Sequence, residues 1–321
     1  MALIELDHVA KDFVAYRRAG RVRRERRIVH AVSDLSLTID AGECVGYIGP
    51  NGAGKSTTIK MLTGILVPTS GAIRVGGLDP QRRRVELARR IGVVFGQRTQ
   101  LWWDLPLRDS FELLRHVYRV PAARHAENLV EFTDVLDLGP FLDTPVRQLS
   151  LGQRMRGEIT AALLHDPSVL YLDEPTIGLD VVSQERVRKF LQRVNRERDV
   201  TILLTTHDLD DVERLSSRLV VIDEGRIIHD GTVDEVKDQY VQYRTLVVDL
   251  VEPAPPLQIE HAEVVRVDGP RQWLRFHRDR VTAAELVAAV ARSGNLRDLT
   301  IEEPDIEDVV TRIYTRASCD E

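Results

Sequence analysis

The sequence predicts an α/β fold built around a parallel sheet, and three observations lead there. Short, nearly continuous apolar runs recur as "ECVGYIG", "GVVFG", "SVLYLDE" and "TILLTTH", the composition of strands buried on both faces. Helical patterns such as "KSTTIKMLTGIL", "RMRGEITAALLH" and "SQERVRKFLQRVNRER" lie between them, and strands alternating with helices give parallel sheets. Near the N-terminus, "ALIELDHV" and "DLSLTI" alternate polar and apolar residues instead, as half-exposed antiparallel strands do.

The remaining elements follow in chain order. From about 101 to 165 the patterns "LRDSFELLRHVYRV" and "RHAENLVEFTDVLDL" are helical and no strong strand intervenes, which reads as a helical subdomain inserted into the core. The character changes near residue 240. "EPAPP" (252–256) is a proline-rich break suited to a linker or surface loop. Beyond it come strand-like "EVVRV" and "QWLRFH", helical "TAAELVAAVARSG", strand-like "LRDLTIEE" and helical "IEDVVTRIYTR". The expected organisation is a large domain over 1–240 and a small α+β domain over 241–321.

The chain has 321 residues, 43% hydrophobic and 29% charged, which suits a globular protein with a sizeable core. Its net charge of −6 gives no overall attraction for nucleic acid, so no nucleic-acid partner is expected. The basic residues are five lysines and 39 arginines, a bias that carries no functional reading by itself. Cys44 and Cys319 are far apart and read as reduced thiols rather than a disulfide framework. "MALIELDHVAKDF" lacks an apolar core of signal-peptide length, and no run approaches about 18 apolar residues. Work at a membrane would therefore need a second chain to hold this one there.

The stretch "YIGPNGAGKSTTI" joins an apolar strand to a helix through Gly49, Pro50, Asn51, Gly52, Ala53, Gly54, Lys55, Ser56 and Thr57. Gly49, four residues, then Gly54, Lys55 and Ser56 match the P-loop pattern. Glycines let backbone N–H groups converge on phosphate oxygens, and the following helix adds the positive end of its dipole. Lys55 supplies a full charge to β- and γ-phosphates, and Ser56 offers a hydroxyl to Mg²⁺. In "VLYLDEP", four apolar residues carry Asp173 and Glu174 to the end of a buried strand, where open α/β sheets bind ligands. Asp173 can reach a Mg²⁺ shell, and Glu174 can take a proton from an attacking water.

A third stretch, "LSLGQRMRGEI", begins at Leu149, 94 residues after Lys55 and 24 before Asp173. Alone it reads as a helix N-terminus capped by Ser150. Between a P-loop and an acidic strand end it resembles the signature motif of ABC-type ATPases. Other motifs stand in that family's order: Gln97 resembles the Q-loop glutamine, "IGLD" ending at Asp180 the D-loop, and His207 the switch histidine. Phe13 in "AKDF" sits where the family stacks an aromatic on adenine. The resemblance covers residues 1 to about 240, with one departure, Leu151 where glycine is common.

What the resemblance implies is a P-loop NTPase fold: a RecA-like core, an antiparallel β subdomain and the inserted helical subdomain. It implies ATP and Mg²⁺ as cofactors, with Ser56, Gln97 and Asp173 at the metal. It implies that Glu174, His207 and Gln97 serve hydrolysis. It also implies that a second copy, or a homologous ATPase, donates Ser150, Gly152 and Gln153 across a head-to-tail interface, sandwiching two nucleotides.

Three further features bear on what such an ATPase drives. "GQRTQLWWDLPLRDSF" follows Gln97, and the resemblance places this region beside an integral-membrane permease. Trp102 and Trp103 read either as one buried and one part-covered residue or as an aromatic socket for that partner. "YRRAGRVRRERR" holds seven arginines between 17 and 27; a solvated hairpin or loop is the simpler reading, contact with an anionic membrane or the permease the alternative. The terminal "EEPDIEDVVTRIYT" is similar to the accessory domain of ABC-2-type exporters of drugs, antibiotics or lipids. The expectation is therefore an export ATPase peripheral to the cytoplasmic face of the membrane, with an importer subunit as the alternative. A soluble role on ribosomes or DNA ranks last: the chain has one P-loop and no long coiled coil.

Overall fold

Each of the four apolar runs expected to be a buried strand forms one, and two strands that the sequence did not single out, Arg218–Asp223 and Arg226–Thr232, complete a single sheet. The strands are β3 (Cys44–Ile48), β5 (Ile91–Phe95), β6 (Val169–Asp173), β7 (Thr201–Thr205), β8 (Arg218–Asp223) and β9 (Arg226–Thr232), in the order β5-β6-β7-β3-β8-β9. The pairs β5/β6, β6/β7, β7/β3 and β3/β8 are parallel. The computed structural model describes residues 2–19, 23–96, 98–240, 243–277, 279–292, 296–302 and 306–317. It divides into units Met1–Gly231 and Thr232–Glu321.

Both faces of the sheet's inner strands are covered, which explains why β3, β6 and β7 lack polar alternation. In β6, Leu170 and Leu172 join a core with the helices. Val169 and Tyr171 of the same strand join a second core beneath a three-stranded antiparallel sheet. That sheet, ordered β2-β1-β4, consists of β1 (Ala2–Ala19), β2 (Arg23–Asp40) and β4 (Ser70–Val75). Its inner face carries Ile4, Leu6, Leu37, Ile39 and Ile73, the apolar half of the alternation.

The arginine-rich stretch interrupts β structure less than the sequence suggested. β1 and β2 continue past the sheet as a two-stranded ribbon, pairing Phe13 with Val29, Val14 with Ile28 and on to Ala19 with Arg23. Phe13, Val14, Ile28 and Val29 are all exposed there. Residues 20–22 of that stretch lie outside the described residues.

Helix α1 (Lys55–Leu62) follows β3, and the five-residue α2 (Arg84–Ala88) precedes β5. Between β5 and β6 come α3 (Leu107–Tyr118), α4 (Ala122–Val135) and α5 (Leu151–Leu163), with no named strand among them. Helix α6 (Val181–Arg198) precedes β7 and α7 (Leu209–Leu215) precedes β8. Phe132 of α4 meets Phe190 of α6 edge-on, ring centroids 5.3 Å apart. The Arg198 guanidinium lies 4.8 Å from the Phe132 ring centre.

The second unit holds α8 (Val233–Tyr240), β10 (Tyr243–Leu250), β11 (Ala262–Asp268), β12 (Arg271–His277), α9 (Ala283–Arg292), β13 (Leu296–Glu302) and α10 (Ile306–Ala317). Its antiparallel sheet is ordered β11-β12-β10-β13. The interior strand β10 was not singled out in the sequence, because it precedes the proline break. That break is a loop within the unit, pinned by the fully buried Gln272. The Gln272 amide donates to the Ala254 and Pro255 carbonyls at 3.0 Å and accepts from Leu257 N–H at 2.9 Å.

Phe132→Ala removes a fully buried ring and its contacts with Phe190 and Arg198. It is expected to destabilise the first unit by about 3–5 kcal/mol, read as a lower urea midpoint in its unfolding transition.

Candidate functional site

The P-loop residues take their positions from strand β3 and helix α1. Gly54 precedes α1 with φ of 108°, a left-handed conformation that costs glycine little. Thr58 N–H then bonds the Gly54 carbonyl at 2.9 Å and starts the helix. Asn51, Gly52 and Ser56 are exposed while Ala53 packs inside. The Lys55 ammonium folds back onto the Gly49 carbonyl and lies 3.1 Å from the Pro50 carbonyl. Burial lowers the Lys55 pKa, and the negative charges of Glu174 and Asp173 oppose that shift.

The order β6-β7-β3 brings the end of β6 toward this turn. Thr205, ending β7, donates to the Asp173 carboxylate at 2.6 Å. Glu174 follows the strand with φ of 55°, in the left-handed region. Its Oε2 accepts from His207 N–H at 3.3 Å, and Oε1 lies 3.3 Å from His207 Nε2. Burial pushes the Glu174 carboxyl above the ordinary glutamate range; His207 is the chief influence pulling it back.

These groups surround one cavity of about 470 Å³, lined by Pro50, Asn51, Gly52, Gly54, Lys55, Ser56, Thr57, Lys60, Phe95, Gly96, Arg98, Asp173, Glu174, Ile177 and His207. It has the size of a small-ligand site. Two lysines, an arginine, several backbone N–H groups at a helix start and two carboxylates meet there, a set suited to an anion accompanied by a divalent cation. The oxygens of Ser56 and Asp173 are hard donors on the same cavity, and they fit Mg²⁺.

Other expected residues lie apart from it. Ser150, Gly152 and Gln153 are not among the lining residues. Ser150 caps α5 in a reciprocal box: its hydroxyl accepts from Gln153 N–H at 3.2 Å, and Gln153 Oε1 accepts from Ser150 N–H at 2.9 Å. Asp180 caps α6, accepting from Ser183 N–H at 3.0 Å and from its hydroxyl at 2.6 Å. Phe13 is 38% exposed on the ribbon, with the Lys11 ammonium 5.2 Å from its ring centre. Trp102 and Trp103 are 39% and 50% exposed; neither is the buried residue that one reading required. Gln97 lies outside the described residues.

The sequence did not single out Lys60, Arg98, Thr205 or Thr206. Thr206 Oγ1 lies 3.5 Å from Glu174 Oε2 and accepts from Asp208 N–H at 3.0 Å; the pair of threonines before His207 was its only local trace. A buried anchor behind the site was also missed. Asp211 on α7 is fully buried, accepting from the Thr176 hydroxyl and from Arg188 Nε of α6. Arg188 also reaches Asp208 at 3.4 Å, next to His207.

Asp211→Ala would remove the Nε partner of the buried Arg188 guanidinium and leave it the 3.4 Å contact with Asp208. The expected cost is about 3–5 kcal/mol, measured as a lower denaturant midpoint.

Comparison with known proteins adds a family. The model described as "ABC transporter" matches residues 32–177. Nod factor export ATP-binding protein I of Cupriavidus metallidurans is 33% identical over 291 residues, 89% of this chain and 92% of that protein. Methionine import ATP-binding protein MetN of Latilactobacillus sakei is 35% identical over 242 residues, 73% of this chain and 66% of that one. Among solved structures, the dimeric post-hydrolysis state of the ATP-binding cassette MJ0796, bound to ADP and Pi, superposes with a TM-score of 0.61 at 25% identity. That match covers 72% of this chain and 98% of the cassette.

Proposed function

This chain belongs to the ABC transporter family as an ATP-binding subunit and ABC-type ATPase, and from that premise we propose that it powers export of a small molecule. The cargo would be a drug, an antibiotic or a lipid-like compound, moved through separate membrane permease subunits. The subunit works as a head-to-tail dimer around two ATP–Mg²⁺.

One observation carries the dimer reading. Lys55, Ser56, Asp173, Glu174 and His207 share a cavity that Ser150, Gly152 and Gln153 do not line. Each copy thus presents a phosphate cradle and, elsewhere, a capped helix N-terminus suited to close the cradle of another copy. That the solved cassette is dimeric and bound to ADP and Pi supports a nucleotide-linked dimer.

Within the cradle, Lys55 and the backbone N–H groups of 52–56 bind phosphates, and Phe13 stacks on the base. Ser56 and Asp173 hold Mg²⁺, which supplies charge neutralisation at the phosphates; Gln97 joins them by resemblance. Glu174 is the general base, and its raised pKa gives it more basicity than a solvated carboxylate has. His207 positions the γ-phosphate and water. Asp180 lies at the interface between copies.

Export is favoured by the terminal stretch similar to exporter accessory domains and by the reach of one export relative's alignment. The export relative aligns over 291 residues, more than the first unit's 231, so its likeness extends into the second unit. The import relative aligns over 242 residues, close to the first unit alone. Import is the second reading, favoured by the shared core. Among the described residues no helix is long and apolar enough to cross a membrane. The permease would hold this subunit at the cytoplasmic face, with Trp102 and Trp103 as its anchor.

Glu174→Gln is expected to retain ATP binding, lose at least about 100-fold in turnover, and accumulate as a dimer in size-exclusion chromatography with Mg-ATP. Unchanged turnover would remove Glu174 from the base role. Trp103→Ala is expected to abolish co-purification with the permease while leaving ATP binding intact; full assembly would rule out the socket.

A further inference from the structure

Glu158 has no part in the chemistry above, yet it is a carboxylate only 4% exposed in the middle of α5. Its Oε1 accepts from the Thr99 hydroxyl, and its Oε2 accepts from Gln100 N–H at 3.2 Å. The Gln100 amide donates back to the Glu158 carbonyl at 3.3 Å and to the Val93 carbonyl of β5 at 3.4 Å. Burial raises the Glu158 pKa, and the Thr99 and Gln100 bonds oppose it.

The neighbours of Glu158 face the same way. Arg154, Gly157 and Glu158 stand at i, i+3 and i+4, on one face of α5. The Arg154 guanidinium lies 5.9 Å from the Trp103 ring centre. A Cβ on Gly157 would come within 2.9 Å of Leu107 Cδ1 and 3.3 Å of Leu101 Cδ1, so the 99–107 segment sits directly against the helix. The same segment carries the exposed Trp102 and Trp103, and the same helix begins at the Ser150–Gln153 box.

We propose that Glu158 is a positioning residue: by holding Thr99 and Gln100 it makes the tryptophan-bearing segment and the N-terminal turn of α5 move as one body. A partner pressing on the tryptophans then displaces Ser150 and Gln153, and closure around nucleotide is felt at the tryptophans. This rests on the head-to-tail reading of the site.

Thr99→Ser keeps the hydroxyl donor and Thr99→Val removes it at nearly constant shape. Hydrogen exchange on the full chain, in a Glu174→Gln background with and without Mg-ATP, reads the coupling without a permease. In the parent and in the Thr99→Ser variant, ATP is expected to slow exchange at least about fivefold in both 150–154 and 102–105. Thr99→Val should keep the response at 150–154 and lose it at 102–105. With Glu174 intact, the ATPase rate of Thr99→Val should stay within about twofold of the parent. A response at 102–105 that survives Thr99→Val, or none there in the parent, overturns the role of Glu158. A collapse of the Thr99→Val ATPase rate also overturns it, by making the bond part of the ATPase core. No response at 150–154 in the parent overturns the head-to-tail reading, and this inference with it.

Discussion

The parallel pairing of β6, β7 and β3 is the constraint on which the site depends. Parallel neighbours end at the same edge of the sheet, so the turn after β3 and the acids after β6 meet although more than a hundred residues separate them. The middle strand serves both: Thr205 holds Asp173, and the residues just beyond it bring His207 to Glu174. Burial of both sheet faces fixes the strands, and the fixed strands in turn fix the angles at which the loops approach one cavity. The same burial raises the basicity of Glu174, so packing and chemistry have a common cause.

Much of this was readable because the signals are local. A P-loop is a run of adjacent residues whose conformation follows from Gly54 and a helix start. The Ser150 cap could be read from its own helix, and the structure adds the reciprocal bond from Gln153. Four of the parallel strands, β3, β5, β6 and β7, announced themselves by lacking polar alternation, while β8 was not singled out. What stayed hidden joins distant residues: Thr99 to Glu158 across 59 positions, Thr176 to Asp211 across 35, and Arg188 to Asp211 across 23. No periodicity marks such pairs, since each partner alone reads as an ordinary polar residue. Strand β10 was hidden for a different reason: the strand-like patterns were read only beyond the proline break, and β10 precedes it.

The buried carboxylates share a pattern. Asp211 and Glu158 each lie on a helix that follows a functional segment in the chain, α7 after His207 and α5 after Ser150. Each bonds a hydroxyl from a loop that enters or flanks the cavity. A buried carboxylate is a costly way to stabilise a core, but its bonds have direction, which apolar contact lacks. Helix and loop are thereby held at a defined angle rather than at a range of angles.

The two-stranded ribbon formed by Lys11–Ala19 and Arg23–Val32 has a different consequence. It extends beyond the pairing of β1 with β4, which ends at Ala10 with Ser70, so its rungs have a neighbour on one side only. In any β-strand, side chains alternate between the two faces with a period of two. Adding or deleting two residues in each arm would preserve that alternation and leave every strand of the three-stranded sheet in register. Related chains are thus free to vary the reach of this projection in steps of about 6.8 Å without altering the core beneath it.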